Sequence, residues 1–387
     1  MKERATAVEG VRRTNLGEVL RLVHHDGMMS RSLLTATTGL NRSTVADLVA
    51  ALVEGGLVIE QEPDPTKRVG RPSPTVRAQP DVVAVGANPE VDAIEIGAIS
   101  LDGQLRARER IELDEVPSVA DAVGLIAAAV TRWRGGELSG CRIIGAGVAV
   151  PGLVRASDGL VRLAPHLRWY DEDIATPLTD ALGVAVVVDN DASLGAQAER
   201  LFGAAREHTN VVYLNGGASG IGGGLILDGR LIRGAGGYAG EWGQTRPAIA
   251  DDSDRRTPGG VLEDEVNRAR LMAAAQLSGG DDGALAGALA RGVDAGAVSE
   301  VARQRGILAA TIGNAVNALN PSMIVLGGFL AVLRDQDPEG FDAEVRARSL
   351  AASAEGLQIA SAALGKDRLL IGAAEAAFAP LLANPLG

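Results

Sequence analysis

The chain has 387 residues, enough for two or three compact cores, and 46% of them are hydrophobic. Only 3% are aromatic and 50 are glycine, so the core must be aliphatic, which favours an α/β protein. A single cysteine excludes a disulfide framework and a multi-cysteine metal cage, and the absence of an apolar leader or a run of about 18 apolar residues predicts a cytoplasmic protein without membrane spans.

The net charge of −12 is unevenly distributed along the chain. Residues 1–80 contain 11 Lys and Arg against 9 Asp and Glu, a net charge of +2, so residues 81–387 carry −14. A strongly acidic region repels nucleic-acid phosphates. Any DNA binding is therefore expected in the first eighty residues.

Three amphipathic helices are predicted in those eighty residues. The first ends near Gly27, and the second begins after the N-cap Ser30 and ends at Gly39. The third follows Asn41 and ends at Gly55. Their apolar faces contain Leu16, Val19, Leu20 and Val23 in the first helix, Leu33 and Leu34 in the second, and Val45, Leu48, Val49, Leu52 and Val53 in the third. Three helices with a tight turn before the third predict a helix-turn-helix.

In a helix-turn-helix the third helix enters the DNA major groove with its first turn leading. Residues 57–59 are predicted as a wing strand, and the proline-rich basic arm at 65–80 suits a narrow minor groove. Small winged domains also serve as protein-docking modules, so this alternative stays open. The predicted DNA-binding residues are Ser30, Arg31, Asn41, Arg42, Ser43, Thr44, Lys67, Arg68 and Arg71.

From residue 82 onward strands alternate with helices, as in an α/β protein. A hairpin at 82–100 is matched by a second one at 211–227, which indicates an internal duplication. The glycine run 216–224 precedes a strand and not a helix, so it is not a dinucleotide fingerprint. It fits either the phosphate-binding turn of an actin-like ATPase or a tight structural turn.

The sequence Asp189-Asn190-Asp191 follows a predicted strand. Polar side chains at the carboxyl end of a strand project into the crevice where α/β proteins bind ligands. A carboxylate there could accept a proton from a substrate hydroxyl. The alternative is that these side chains cap the helix predicted at 192–202.

From Arg12 to Ala379 the chain resembles the ROK family of repressors, open reading frames and kinases. The resemblance rests on the segments VAVPGLV, APHLRW, VDNDASLGAQAERLFGAA, SGIGGGLILDG, GYAGEWG and LNPSMIVLGG. It implies a winged helix-turn-helix at 1–80, as in the repressor branch, followed by an actin-like ATPase (ribonuclease H-like) domain of the sugar-kinase type. Its two lobes would span 81–200 and 201–387, the second including the dimerisation region.

The resemblance also implies a sugar pocket. Asp191 matches the catalytic base of the kinases, and Asn190, Glu241 and Glu263 match sugar-binding residues. His166 stands where the family usually has a sugar-contacting asparagine. The implied ligand-binding residues are His166, Asn190, Asp191, Glu241, Gln244 and Glu263.

The chain departs from the family at its phosphate and zinc motifs. The first phosphate motif, an Asp followed by Gly-Gly-Thr, is Asn88-Pro89-Glu90-Val91 here, and the second contains Ala218-Ser219 in place of Gly-Thr. Gln244 replaces the zinc-binding histidine, and the segment ADDSDRRTPGGVLED has no cysteine. We therefore predict no cofactor, no metal and no enzymatic activity, with Asp191 as a vestigial base.

These observations predict a transcriptional regulator, in the family's commonest mode a repressor. It would bind a double-stranded DNA operator as a homodimer or tetramer and respond to a sugar-like effector. One alternative is an ATP-dependent sugar kinase with a DNA-binding head. Another is a regulator whose large domain is only a dimerisation scaffold.

Overall fold

The computed structural model describes residues 2–62, 73–217, 219–249, 251–291 and 295–387. The chain folds into two compact units. The first unit contains Met1–Ala149, Glu172–Val188 and Leu370–Gly387, and the second contains Val150–Asp171 and Asp189–Leu369. Within the described ranges, no helix is both long enough and apolar enough to cross a bilayer.

The helices, in chain order, are α1 (Lys2–Asp26), α2 (Arg31–Thr38), α3 (Arg42–Glu54), α4 (Val119–Arg134), α5 (Ala175–Leu182), α6 (Asp191–Phe202), α7 (Leu262–Glu265), α8 (Arg268–Ala274), α9 (Asp282–Ala290), α10 (Ala295–Leu319), α11 (Phe329–Asp335), α12 (Pro338–Ala347) and α13 (Arg368–Ala383). The strands are β1 (Met29–Ser30), β2 (Val58–Gln61), β3 (Thr75–Ala78), β4 (Val82–Pro89), β5 (Ala93–Ser100), β6 (Leu105–Glu112), β7 (Arg142–Val150), β8 (Leu153–Val154), β9 (Val161–Ala164), β10 (Trp169–Glu172), β11 (Val186–Asn190), β12 (Val211–Gly217), β13 (Gly220–Leu227), β14 (Arg230–Leu231), β15 (Met323–Gly328) and β16 (Gln358–Ser361).

The predicted winged helix-turn-helix is confirmed. Helices α1, α2 and α3 accompany a small antiparallel sheet of strand order β1-β3-β2, in which β1 lies between α1 and α2 and the other two strands follow α3. Both predicted N-caps form, because the Ser30 side chain accepts from the backbone N–H of Leu33 and the Asn41 side chain accepts from that of Thr44. The sequence did not predict β1 or β3, and β3 lies within the segment expected to be an irregular arm.

Two five-stranded sheets confirm the α/β class and the internal duplication. Their orders are β11-β7-β4-β5-β6 and β16-β15-β12-β13-β14. In each sheet the central strand pairs antiparallel with the next strand of the chain and parallel with a later one. The same chain path is thus used twice.

A hydrophobic core of the first unit includes the helix-turn-helix. Side chains of α1 and α3 are buried in the same cluster as those of β4, β5 and α13. At Gly17 an added Cβ would collide with the backbone carbonyl of Leu382, so the backbones of α1 and α13 approach closely there. The boundaries predicted near residues 80 and 200 stay predictions.

Candidate ligand pocket and nucleic-acid interface

A cavity of about 610 Å³ opens in the second unit. It lies at the carboxyl end of β11 and beside the β12–β13 hairpin, which contributes Ser219 and the first residues of β13, Gly220 to Gly222, to its wall. The structure brings all six predicted ligand-binding residues to this cavity: His166, Asn190, Asp191, Glu241, Gln244 and Glu263. Their role in binding a ligand stays a prediction.

Asn190 has the capping role that the sequence left open. Its side-chain oxygen accepts from the backbone N–H of Ser193 at 2.9 Å, which caps α6. Its side-chain nitrogen donates to the carbonyl of Gly152 at 3.0 Å and to Asp191 Oδ1 at 3.2 Å. Asn190 thus fixes the start of α6 and orients Asp191 on the wall of the cavity.

Asp189, the preceding residue, faces a different partner. It is buried and forms an ion pair with Arg233, whose Nη2 lies 2.5 Å from its Oδ2. Its other oxygen accepts from the backbone N–H of Asn190 at 2.9 Å. Of the three consecutive polar residues, Asp189 therefore anchors the strand end, while Asn190 and Asp191 line the cavity.

Both oxygens of Glu263 are held in place. One accepts from Gln244 Nε2 at 2.5 Å, and the other accepts from the backbone N–H of Ile221 at 3.1 Å. Gly220 has φ +132°, and a Cβ at this position would collide with the Glu263 carboxylate. This glycine therefore lets the β12–β13 turn approach the carboxylate closely.

The cavity is strongly acidic. Asp191, Glu241 and Glu263 all line it, and none of the described lining residues is Lys or Arg. Burial, followed by the charges of Asp191 and Glu263, raises the pKa of Glu241 above its usual value. The cavity therefore offers several hydrogen-bond acceptors to a hydroxylated ligand and repels an anion.

A buried ion pair holds the segment in which the sequence lacks zinc ligands. The Glu265 carboxylate accepts from the backbone N–H groups of Arg256 and Thr257 and from Arg303 Nη1, all at 2.9–3.1 Å. Glu265 is fully buried, and the Arg303 side chain is only 6% exposed. The sequence reasoning missed this pair, because no local pattern links residues 38 positions apart.

The altered first phosphate motif ends β4 in the first unit. Asn88 is buried and donates from Nδ2 to Glu90 Oε1 at 2.7 Å. Burial raises the pKa of Glu90, and Arg110 and the bond from Asn88 offset only part of that effect. Pro89 offers no backbone N–H at this turn, so the motif lacks a donor that phosphate binding would use.

The first turn of α3 is exposed. Arg42 lies there in the solvent, without a hydrogen bond or ion pair to the described side chains, so its guanidinium is available for a DNA base or phosphate. Ser43 donates to Asn41 Oδ1 at 2.7 Å, and Thr44 follows on the same turn. Arg31, in contrast, is held in an ion pair with Glu60 of β2. Ser30 caps α2. The predicted residues Lys67, Arg68 and Arg71 lie outside the described residues.

Comparison with known proteins identifies relatives over most of the chain. Residues 86–379 match the model of the ROK family. The chain is 27% identical over 376 residues to the xylose repressor of Caldicellulosiruptor bescii, which covers 91% of this chain and 92% of that protein. It is also 28% identical over 267 residues to a glucokinase of Halalkalibacterium halodurans, covering 62% of this chain and 78% of the kinase.

A solved structure has the same fold. It is a ROK family transcriptional regulator, described as a homologue of the E. coli MLC protein, and it superposes with a TM-score of 0.76 at 23% identity. The match covers 96% of this chain and 98% of that one. The similarity therefore includes the winged helix-turn-helix as well as the two five-stranded sheets.

Proposed function

This chain belongs to the ROK family, and we propose that it is a sequence-specific DNA-binding repressor that responds to an unphosphorylated sugar. One observation carries the proposal: an exposed first turn of α3 and a carboxylate-lined cavity occur in the same chain. The match to a xylose repressor along nearly its full length supports the combination.

The DNA-binding part of the proposal rests on α3. Its apolar side faces the core through Val45, Leu48, Val49 and Leu52, which leaves the first turn free for the major groove. Arg42 can donate two hydrogen bonds to a guanine edge or bind a phosphate. Two copies of the head in a homodimer would read two half-sites of a near-palindromic operator.

The chemistry of the cavity selects the class of effector. Three carboxylates provide acceptors for several hydroxyl groups, and Gln244, which donates one of its two N–H groups to Glu263, provides a donor. A phosphate group 4 Å from one of these carboxylates would be repelled by about 4 kcal/mol at an effective dielectric constant near 20. The effector we propose is therefore a neutral sugar, whose hydroxyls replace the water that the carboxylates otherwise bind.

The alternative of an ATP-dependent sugar kinase draws on the glucokinase similarity and on Asp191 in the cavity. Phosphoryl transfer needs backbone donors and a metal ion to neutralise the phosphates. Here the Asn88 and Glu90 side chains are hydrogen-bonded to each other, Pro89 has no backbone N–H to donate, and Glu90 adds a carboxylate. These features favour a regulator without kinase activity.

The experiment that tests the proposal is sequencing of genomic fragments retained by the purified full-length protein, with Arg42→Ala as the matched control. We expect one near-palindromic motif to be enriched by the wild type and lost in the variant. Affinity for this motif should fall steeply with rising salt, because each neutralised phosphate releases counterions. Retention of the same fragments by Arg42→Ala would contradict the assignment of α3.

A second measurement tests the effector. Isothermal titration with a panel of pentoses, hexoses and their phosphates should give binding of a neutral sugar and no binding of its phosphate. Asp191→Asn should weaken that binding while leaving operator affinity unchanged. Transfer of phosphate from ATP to any sugar of the panel would replace the repressor proposal by the kinase alternative.

A further inference from the structure

Two histidines at the end of α1 converge on one carboxylate of α13. His24 Nε2 lies 2.8 Å from Glu375 Oε1, and His25 Nε2 lies 3.5 Å from Glu375 Oε2. His24 and Glu375 are each about 3% exposed, whereas the His25 side chain is 21% exposed. The pair joins residues 351 positions apart, deep in the core of the first unit.

The hydrogen bonds of His24 indicate its protonation state. Its Nδ1 lies 2.5 Å from the carbonyl oxygen of Leu101, an atom that can only accept. Its Nε2 faces the Glu375 carboxylate, which also accepts when it is ionised. Since a ring nitrogen needs a proton to donate, both nitrogens of His24 must carry one, and the ring is an imidazolium.

A metal ion is a poorer explanation of the same cluster. The ligand atoms of His24, His25 and Glu375 all lie within 4.8 Å of one another, as at a metal site. Two ligand atoms of a tetrahedral zinc, however, are about 3.4 Å apart. The 2.8 Å between His24 Nε2 and the carboxylate is the length of a direct hydrogen bond, and an imidazolium has no lone pair for a metal.

The position of the pair gives it a structural role. Helices α1 and α13 also meet where Gly17 approaches Leu382, seven residues before His24 and seven after Glu375. The later contact residue of α1 meets the earlier contact residue of α13, so the two helices are antiparallel. The two contact points are about two helical turns apart. The Gly17 contact is made with the backbone of Leu382 and contains no titratable group, so of these two contacts the His24 contact is the one that can respond to protons.

We propose that His24 and Glu375 form a proton-dependent latch, in which protonated His24 holds the first helix of the DNA-binding head against the C-terminal helix. The proposal does not depend on the sugar response or on the identity of the operator. Loss of the His24 proton leaves two buried acceptors, Leu101 O and Glu375, competing for one N–H. The α1–α13 contact then weakens from its His24 end.

The charged groups around His24 determine the direction of the pH dependence. They are Glu375 on α13, Asp102 in the turn after β5, and the neighbouring His25 on α1, with Phe378 edge-on to the ring. Burial lowers the pKa of His24, but the bond and charge of Glu375, the Leu101 carbonyl and Asp102 together raise it above 6.5. Burial likewise raises the pKa of Glu375, yet the bonds from His24 and His25 lower it to about 2.

The sign of the linkage follows from these two shifts. The raised pKa of His24 contributes stability that is complete below pH 6.5 and is lost as the pH rises through the folded-state value. The lowered pKa of Glu375 contributes stability that is complete above pH 4.5 and is lost as the pH falls toward 2. The latch is therefore strongest between pH 4.5 and 6.5 and opens on the alkaline side.

The test is a pH titration of the full-length protein with ¹³C-labelled histidine, followed by NMR. The chain has four histidines, so His25→Asn, His166→Asn and His208→Asn each remove one signal and leave that of His24 identified. We expect a His24 midpoint above 6.5 in the wild type. In Glu375→Gln the carboxylate that raises the pKa of His24 is gone and the effect of burial remains, so we expect the His24 midpoint below 6.5. The signals of His166 and His208 should titrate as in the wild type.

A second readout distinguishes the latch from general packing. The difference in Tm between wild type and Glu375→Gln should be largest at pH 5–6 and shrink as the pH rises through the His24 midpoint. If Glu375→Gln does not fold, Asp102→Asn should still lower that midpoint. Three results would overturn the proposal. They are a wild-type His24 midpoint at or below 6.5, a midpoint that neither variant changes, and a shift of the His24 signal by one equivalent of Zn²⁺.

Discussion

Replacing Glu265 by glutamine should loosen the segment that borders the ligand cavity. The Glu265 carboxylate accepts from two backbone N–H groups and from Arg303, and the Glu265 and Arg303 side chains are both largely removed from water. Glutamine keeps one acceptor oxygen but turns an NH₂ group toward these donors. Breaking a buried ion pair costs about 3–5 kcal/mol, and we expect the lower end because Glu300 still pairs with Arg303.

A cost of about 3 kcal/mol raises the open population of this segment about 150-fold, at 1.36 kcal/mol per factor of ten. Hydrogen exchange read by mass spectrometry should report this as a loss of protection across residues 253–262, with the sheet of the first unit unchanged. Glu344→Gln is the matched control, since its pair with Arg348 is partly exposed and worth about 0.5 kcal/mol or less. Exchange within about threefold of the wild type in Glu265→Gln would refute the role given to this pair.

Three further predictions concern DNA, ligand and core. Arg42→Ala should weaken operator binding by about 1–3 kcal/mol, read by fluorescence anisotropy, without changing the affinity for sugar in calorimetry. Glu241→Gln should weaken sugar binding but raise the Tm of the sugar-free protein at neutral pH, because the raised pKa of Glu241 shows that its charge is unfavourable in the fold. This increase in Tm should vanish as the pH falls through the pKa of Glu241, where the carboxylate of the wild type becomes neutral. Gly147→Ala should reduce the free energy of unfolding of the first unit by about 1–3 kcal/mol, and so lower its Tm, because the added Cβ would overlap the Ala373 backbone. Gly124→Ala, in the open interior of α4, should raise the Tm.

Local patterns predicted the helix-turn-helix well. The caps Ser30 and Asn41 and the apolar face of α3 depend on neighbouring residues, and both caps form in the structure. Val45, Leu48, Val49 and Leu52 of the predicted face are buried, whereas Val53 is exposed. Strand β1 has only two residues, which pair with β3 residues 45 and 47 positions away, so it has no periodic signal of its own. Strand β3 does alternate, with Val76 and Ala78 buried, but over only four residues. A short strand that is stabilised by a distant partner cannot be predicted from its own sequence.

The cavity was foreseen through family resemblance more than through spacing. Its residues come from β8, β9, β11, β13, α6, α7 and the segments between them. Two of these segments carried a signal of their own, the glycine run at 216–224 and the strand end at Asp189 to Asp191. The strand end had two interpretations, and in the structure Asn190 caps α6 and lines the cavity as well. The Glu265–Arg303 and His24–Glu375 pairs were missed, because each depends on segments that the fold alone brings together.

The measurement that tests the central claim most directly is anisotropy of a labelled operator duplex bound to the full-length protein, titrated with neutral sugars and with their phosphates. We predict that one neutral sugar changes the operator affinity tenfold or more, about 1.4 kcal/mol of coupling, and that Asp191→Asn abolishes this response while retaining operator binding. Operator binding that no sugar alters, in the wild type as in the variant, would contradict the account and leave the second unit as a scaffold.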